Sequence, residues 1–95
     1  MTAYVVFARD SITDPTEFAQ YQAKAGAARE GHAMTPLAFY GKIDTLEGDP
    51  VEGAVILSFP TMAEARAWYD SPVYQEALQH RLKGAKYRLF IVEGL

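Results

Sequence analysis

Ninety-five residues, 49% of them hydrophobic and 22% charged with a formal net charge of −3, make an ordinary soluble globular chain, enough for one domain (residues 1–95) and too short for two. Nine Lys and Arg against twelve Asp and Glu, dispersed along the chain, leave no basic stripe to neutralise phosphates and argue against a nucleic-acid partner. The absence of cysteine removes disulfides, thiolate nucleophiles and Cys-ligated metals together, and fits a reducing compartment.

The chain opens on M-T-A-Y-V-V-F-A-R-D, which has no basic leader and an apolar run that stops at Arg9. That run is too short for a signal peptide or a membrane span, so a cytoplasmic protein without a membrane partner is expected. Its Tyr, Val and Phe content from Ala3 to Arg9 predicts a strand. Asp14-Pro15-Thr16-Glu17 then supplies a capping side chain, a proline suited to the first helical position and an acid in the first turn. Phe18, Tyr21, Ala25 and Ala28 recur at helical spacing on one face, and Gly31 can stop the helix in a left-handed conformation.

Leu37 to Leu46 alternates as a second strand, Gly48-Asp49-Pro50 and Gly53 form a turn cluster, and Gly53 to Phe59 is a short apolar run that predicts a buried strand. These two strands make a hairpin. Thr61-Met62-Ala63-Glu64 has the pattern of a capping box, and a helix carrying Ala65, Trp68 and Tyr69 follows it. Asp70-Ser71-Pro72 interrupts that helix, because the residue before a proline avoids helical dihedrals, while Ser71 can cap and Pro72 can open a second one. Val73, Ala77 and Leu78 continue the apolar stripe to about Gly84, and Lys86 to Glu93 predicts the last strand.

The order strand, helix, strand, strand, helix, strand, with short connections, predicts an α+β fold. Its economical form is the ferredoxin-like βαββαβ plan, a four-stranded antiparallel sheet with helices on one face. Side chains alternate across a sheet, so Tyr4, Val6 and Ala8 oppose Ala3, Val5 and Phe7, and Phe90 and Val92 oppose Leu89 and Ile91. Neither parity is polar, although the uncovered face of such a sheet should be. The simplest cover is a second copy of the chain, which predicts a homodimer through the sheet face.

T-L-E-G-D at Thr45 to Asp49, I-L-S-F-P-T at Ile56 to Thr61, A-W-Y-D-S-P-V-Y-Q at Ala67 to Gln75, Arg81 and the closing F-I-V-E-G resemble the family called domain of unknown function 1330. The similarity spans nearly the whole chain, and W-Y-x-S-P-x-Y-Q is its most specific part. The resemblance implies the dimeric α/β barrel arrangement and brings no established activity. One departure stands out, since the family commonly carries a Gly-Gly pair before a basic residue in its second strand and this chain reads Tyr40-Gly41-Lys42.

Candidate site residues divide between chemistry and packing. His32 and His80 lack metal-ligand spacing and read most simply as surface or locally bonded histidines, so no metal is expected. His32, in the loop beside Gly31, is the weak candidate for a catalytic proton carrier. Tyr40 and Lys42 share a strand and a side, which suits binding of an anionic oxygen, or merely an edge-strand lysine beside a half-exposed tyrosine. Trp68, Tyr69 and Tyr74 fill gaps at a helix bend and can also present polar tips to a ligand. Arg81, seven residues after Tyr74, shares its helical face. Arg81 and Arg88 also match arginines the resemblance implies; each can clamp a carboxylate or pair with Glu47 or Glu93.

No nucleophile constellation or phosphate-binding loop is present, so no cofactor is expected. Two readings follow. One is a small dimeric barrel that binds a polar or carboxylic-acid metabolite in a pocket between the helices and the sheet. The alternative is a cofactor-independent enzyme, isomerase- or monooxygenase-like, acting on a small enolisable or aromatic acid.

Overall fold

A computed structural model describes residues 1–95. Its elements run β1 (Ala3–Ile12), α1 (Pro15–Ala27), β2 (Thr35–Phe39), β3 (Gly53–Phe59), α2 (Met62–Asp70), α3 (Pro72–Gly84) and β4 (Ala85–Glu93). The strands form one antiparallel sheet in the order β2-β3-β1-β4, which places the first and last strands of the chain side by side. This is the split βαβ plan, with the second helix divided in two.

Local chemistry accounts for the helix ends. The Asp14 carboxylate accepts from Thr16 N at 3.0 Å and Glu17 N at 3.3 Å, and Pro15 opens α1 where its missing N–H costs nothing. Past Ala27 the chain tightens into a three-residue hydrogen-bond pattern, with Ala28 N donating to Ala25 O, and Gly31 at φ +82° closes it. Thr61 Oγ1 accepts from Glu64 N at 3.1 Å and starts α2. Ser71 serves two helices at once. Its hydroxyl donates to the Trp68 carbonyl at the end of α2 (2.7 Å) and accepts from Tyr74 N at the start of α3 (3.3 Å).

The second strand departs from expectation. Alternation predicts a strand from Leu37 to Leu46, yet β2 runs Thr35–Phe39. Tyr40 still donates its N–H to Ala54 O at 2.8 Å, but it adopts φ +53° and turns the chain off the ladder. A non-glycine residue in the left-handed region costs about 1–3 kcal/mol, so surrounding contacts must hold it there. β2 and β3 do pair as antiparallel neighbours, joined by the irregular Tyr40–Glu52 connection instead of a tight turn at Gly48.

Side-chain parity separates the two faces of the sheet. Ala3, Val5, Phe7, Val55, Leu57 and Phe59 are buried against Phe18 and Tyr21 of α1, Ala65 and Trp68 of α2, and Tyr74, Ala77 and Leu78 of α3. Each fully buried Val, Leu or Phe contributes roughly 1.5–3 kcal/mol. The end of α3 packs tightly on the start of α1 at Gly84, whose carbonyl accepts from both Thr13 N (2.8 Å) and Asp14 N (3.1 Å). At the surface, Lys24 reaches Glu76 at 2.9 Å and His80 Nδ1 lies 2.7 Å from Glu17 Oε2, tying the same helices together.

The opposite face carries Tyr4, Val6, Ala8, Ala54 and Ile56, none of them fully buried, and Phe90 is 52% exposed. No helix is long and apolar enough to cross a membrane.

Candidate functional site

Helical phase places Phe18 and Tyr21 on the inner side of α1, and Tyr74, Leu78 and Arg81 on the inner side of α3. The Tyr21 and Tyr74 hydroxyls share a buried hydrogen bond of 2.9 Å. A second phenol pair, Tyr40 and Tyr87, lies 2.6 Å apart. Arg81 stands between the pairs, its guanidinium carbon 5.8 Å from the Tyr21 ring centre and 5.1 Å from that of Tyr87.

Arg81 is only 5% exposed and takes part in none of the chain's ion pairs, and its Nε has no hydrogen-bond partner. Desolvated contacts of a guanidinium with aromatic faces offset part of that burial, at about 2 kcal/mol or more. Arg9 is set similarly between Phe18 (5.3 Å) and Tyr40 (5.1 Å), with Glu52 Oε1 at 3.9 Å and no hydrogen-bond partner for its Nε.

Burial sets the protonation of the phenols. It pushes Tyr21 well above the ordinary phenol range, Tyr74 adds to the effect, and Arg81 opposes it. Tyr74 is raised by burial, with Arg81 pulling it back. Burial raises Tyr40 too, reinforced by its bond to Tyr87 and opposed by Arg9. These phenols are therefore neutral donors at physiological pH, arranged around fixed positive charge, a combination suited to an electron-rich oxygen.

A cavity of about 290 Å³ opens beside them, with Phe7, Tyr21, Tyr40, Trp68 and Tyr74 in its wall. The exposed side chains of Gln22 and Arg29 contribute polar groups to the same lining. The Trp68 indole is 3% exposed and its N–H has no partner. A larger groove of about 590 Å³ runs between α2 and β4, past Met62, Arg66, Tyr69 and Phe90, and Trp68 borders it as well.

Of the residues singled out from sequence, Tyr40, Trp68 and Tyr74 line the cavity. Arg81 stands behind that wall, its guanidinium carbon over the Tyr21 ring, and is not itself part of the lining. Tyr69 borders the α2–β4 groove. Lys42 is exposed in the Tyr40–Glu52 connection and does not share a strand with Tyr40, because the backbone turn at Tyr40 ends the alternation that would have aligned them. His32 borders a separate depression with Thr2, Ser58 and Pro60, away from the phenols. Arg88 projects from the outer face, 72% exposed and 3.9 Å from Asp10, and pairs with neither Glu47 nor Glu93.

Arg9, Arg29 and Tyr87 belong to the cluster or its rim without having been picked out. Parity carried the signal for two of them, since Arg9 shares a side with Val5 and Phe7, and Tyr87 with Leu89.

The sequence model of one protein family, described as Domain of unknown function (DUF1330), matches residues 2–95. No curated protein matches the chain. Among solved structures, a protein of unknown function from Rhodopseudomonas palustris superposes with a TM-score of 0.70 at 19% identity, covering 99% of this chain and 82% of the other. A dimeric ferredoxin-like protein of unknown function from Thermobifida fusca YX gives 0.66 at 18% identity, covering 97% and 90%. SnoaB, a cofactor-independent oxygenase from Streptomyces nogalater, gives 0.54 at 10% identity, covering 99% and 91%. At these identities the likeness is one of fold, and the fold is ferredoxin-like.

Proposed function

The chain belongs to the family Domain of unknown function (DUF1330), and we propose that it binds a small carboxylic acid with an aromatic or unsaturated body in the cavity walled by Tyr21, Tyr40, Trp68 and Tyr74. One observation carries this reading: Trp68, whose buried N–H has no partner, borders a cavity of about 290 Å³ that three neutral phenols also line. A buried donor left unpaired costs about 1–3 kcal/mol, a penalty removed where an acceptor oxygen is brought to it. Arg29 on the rim and Arg81 behind the phenols supply positive charge for an acid, and the aromatic wall suits a flat apolar body.

Trp68 is the chain's one tryptophan, so its fluorescence reports on this wall directly. Titration with benzoate, 4-hydroxybenzoate and sorbate is expected to give a saturable change in emission for at least one of them, weakened in Arg29→Ala. No change with any of the three up to millimolar concentration overturns the reading.

A catalytic version rests on a further observation, the Tyr21–Tyr74 hydrogen bond next to the unpaired Arg81 charge. That arrangement suits a developing enolate oxygen, and SnoaB, a cofactor-independent oxygenase of the same fold, is consistent with such chemistry. In this version an acid able to enolise is lost over time together with the dioxygen that oxidises it, and Tyr74→Phe slows its loss while leaving its binding within a fewfold of wild type.

The protein works in this reading as a homodimer. The outer sheet face, with Val6, Ile56, Phe90 and Val92, is the surface that a second copy covers. A dimeric relative in fold supports the same arrangement.

A further inference from the structure

Tyr40 is the one residue other than glycine with a positive φ, and its side chain takes an unusual course. Its N–H is still bonded to β3, at the edge of the sheet away from β4, whereas its hydroxyl meets Tyr87 of β4 at 2.6 Å. The two phenols, joined at their hydroxyls, therefore bridge the inner face of the sheet from the β2 side to β4. Beneath it lies a row of paired residues, Gly53 of β3 opposite Arg9 of β1 and Arg9 opposite Tyr87 of β4. Gly53 leaves the room that the ring occupies, since a Cβ there would stand 2.9 Å from Tyr40 Cδ1 and 3.0 Å from the Arg9 guanidinium carbon. Tyr40 lines the cavity, while Arg9, Tyr87 and Arg81, which lie beyond it, do not.

We infer that the Tyr40 phenol, seated on Gly53 and latched to Tyr87, is the end-stop of the cavity: it fixes the length of acid the site accepts and bars that acid from direct contact with the Arg9 and Arg81 guanidiniums. A two-ring acid extended toward Tyr87 meets this ring, and a one-ring acid stops short of it. Glycine at position 40 tolerates φ +53°, removes the stop and opens the chamber toward the two guanidiniums.

The inference rests on the cavity being a ligand site, and a paired titration separates the two. Benzoate and 2-naphthoate are titrated calorimetrically into wild type, Tyr40→Gly and Tyr40→Phe, with near-ultraviolet circular dichroism to confirm folding. Tyr40→Gly is expected to bind 2-naphthoate at least about tenfold more tightly than wild type does, a typical size of discrimination by pocket shape. Tyr40→Phe keeps the ring and is expected to keep the wild-type preference. Gly53→Ala displaces the ring without deleting it and is expected to shift the preference in the same direction as Tyr40→Gly, so it decides the matter should Tyr40→Gly not fold. Equal 2-naphthoate binding in wild type and the folded stop variant overturns the inference, as does a gain in Tyr40→Phe equal to that in Tyr40→Gly. If wild type binds neither acid but Tyr40→Gly binds 2-naphthoate, the ligand reading falls and the end-stop stands. If wild type binds benzoate and the stop variants gain nothing, the reverse holds.

Discussion

The hydroxyls of Tyr21 and Tyr74 lie 2.9 Å apart and join α1 to α3 inside the core. Each is the other's hydrogen-bond partner, and both residues are buried. Tyr21→Phe or Tyr74→Phe leaves one phenol buried and unpaired, which should lower stability by about 1–3 kcal/mol. The double replacement removes both polar groups and should cost less than the sum of the single changes. Urea unfolding of the four proteins checks this, and strictly additive losses would show that the pair makes no bond of consequence.

Alkaline pH should unfold the protein through its buried phenols. Burial raises Tyr21, Tyr40 and Tyr74 above the value near 10 at which an unfolded tyrosine ionises. Above that pH the native state holds protons that the unfolded state has lost. The stabilising contribution is thus complete below about pH 10 and declines as pH rises further, by up to about 1.4 kcal/mol per pH unit for each group. Absorbance of phenolate from these three rings should appear together with loss of the far-ultraviolet helical signal. Their ionisation while the fold stays intact would contradict the burial.

Two glycines should respond oppositely to alanine. At Gly84 a Cβ would stand 2.6 Å from the backbone nitrogen of Phe18, so α1 and α3 must separate. Gly84→Ala should cost about 2–3 kcal/mol as overpacking against backbone. At Gly26, within α1, a Cβ meets nothing within 4 Å. Gly26→Ala should raise stability by about 0.5 kcal/mol through reduced freedom of the unfolded chain. Thermal midpoints that move in the same direction for both would refute this account of the helix contact.

Phe90 tests the uncovered sheet face. Light scattering at micromolar concentration should give wild type a mass twice the 10.5 kDa of one chain. Phe90→Glu, at a position 52% exposed within the chain, should shift the population to single chains without lowering the helical signal. A wild-type particle of 10.5 kDa would remove the dimer.

Much of this architecture could be read from the chain because neighbouring residues dictate it. The Asp14 and Thr61 caps and the Ser71-Pro72 break depend on side chains within a turn of where they act. Strand parity likewise separated Val5 and Phe7 from Val6 and Ala8. The end of β2 was not legible, since Tyr40 is held in a left-handed conformation by contacts with Gly53, Arg9 and Tyr87, which come from three other strand positions. The same is true of the phenol pairs: Tyr21 read as an ordinary core residue until α3 brought Tyr74 to it from 53 positions away. Arg88 is the opposite case. Its alternation with Leu89 already assigned it to the side of Phe90, and the outer face is where it lies.

Trp68 is the partition between two chambers, the phenol-lined one over the sheet and the apolar groove between α2 and β4. A tilt of its indole that enlarges one room takes that space from the other. Ligands on opposite sides of a single aromatic plate would then be antagonists by volume alone.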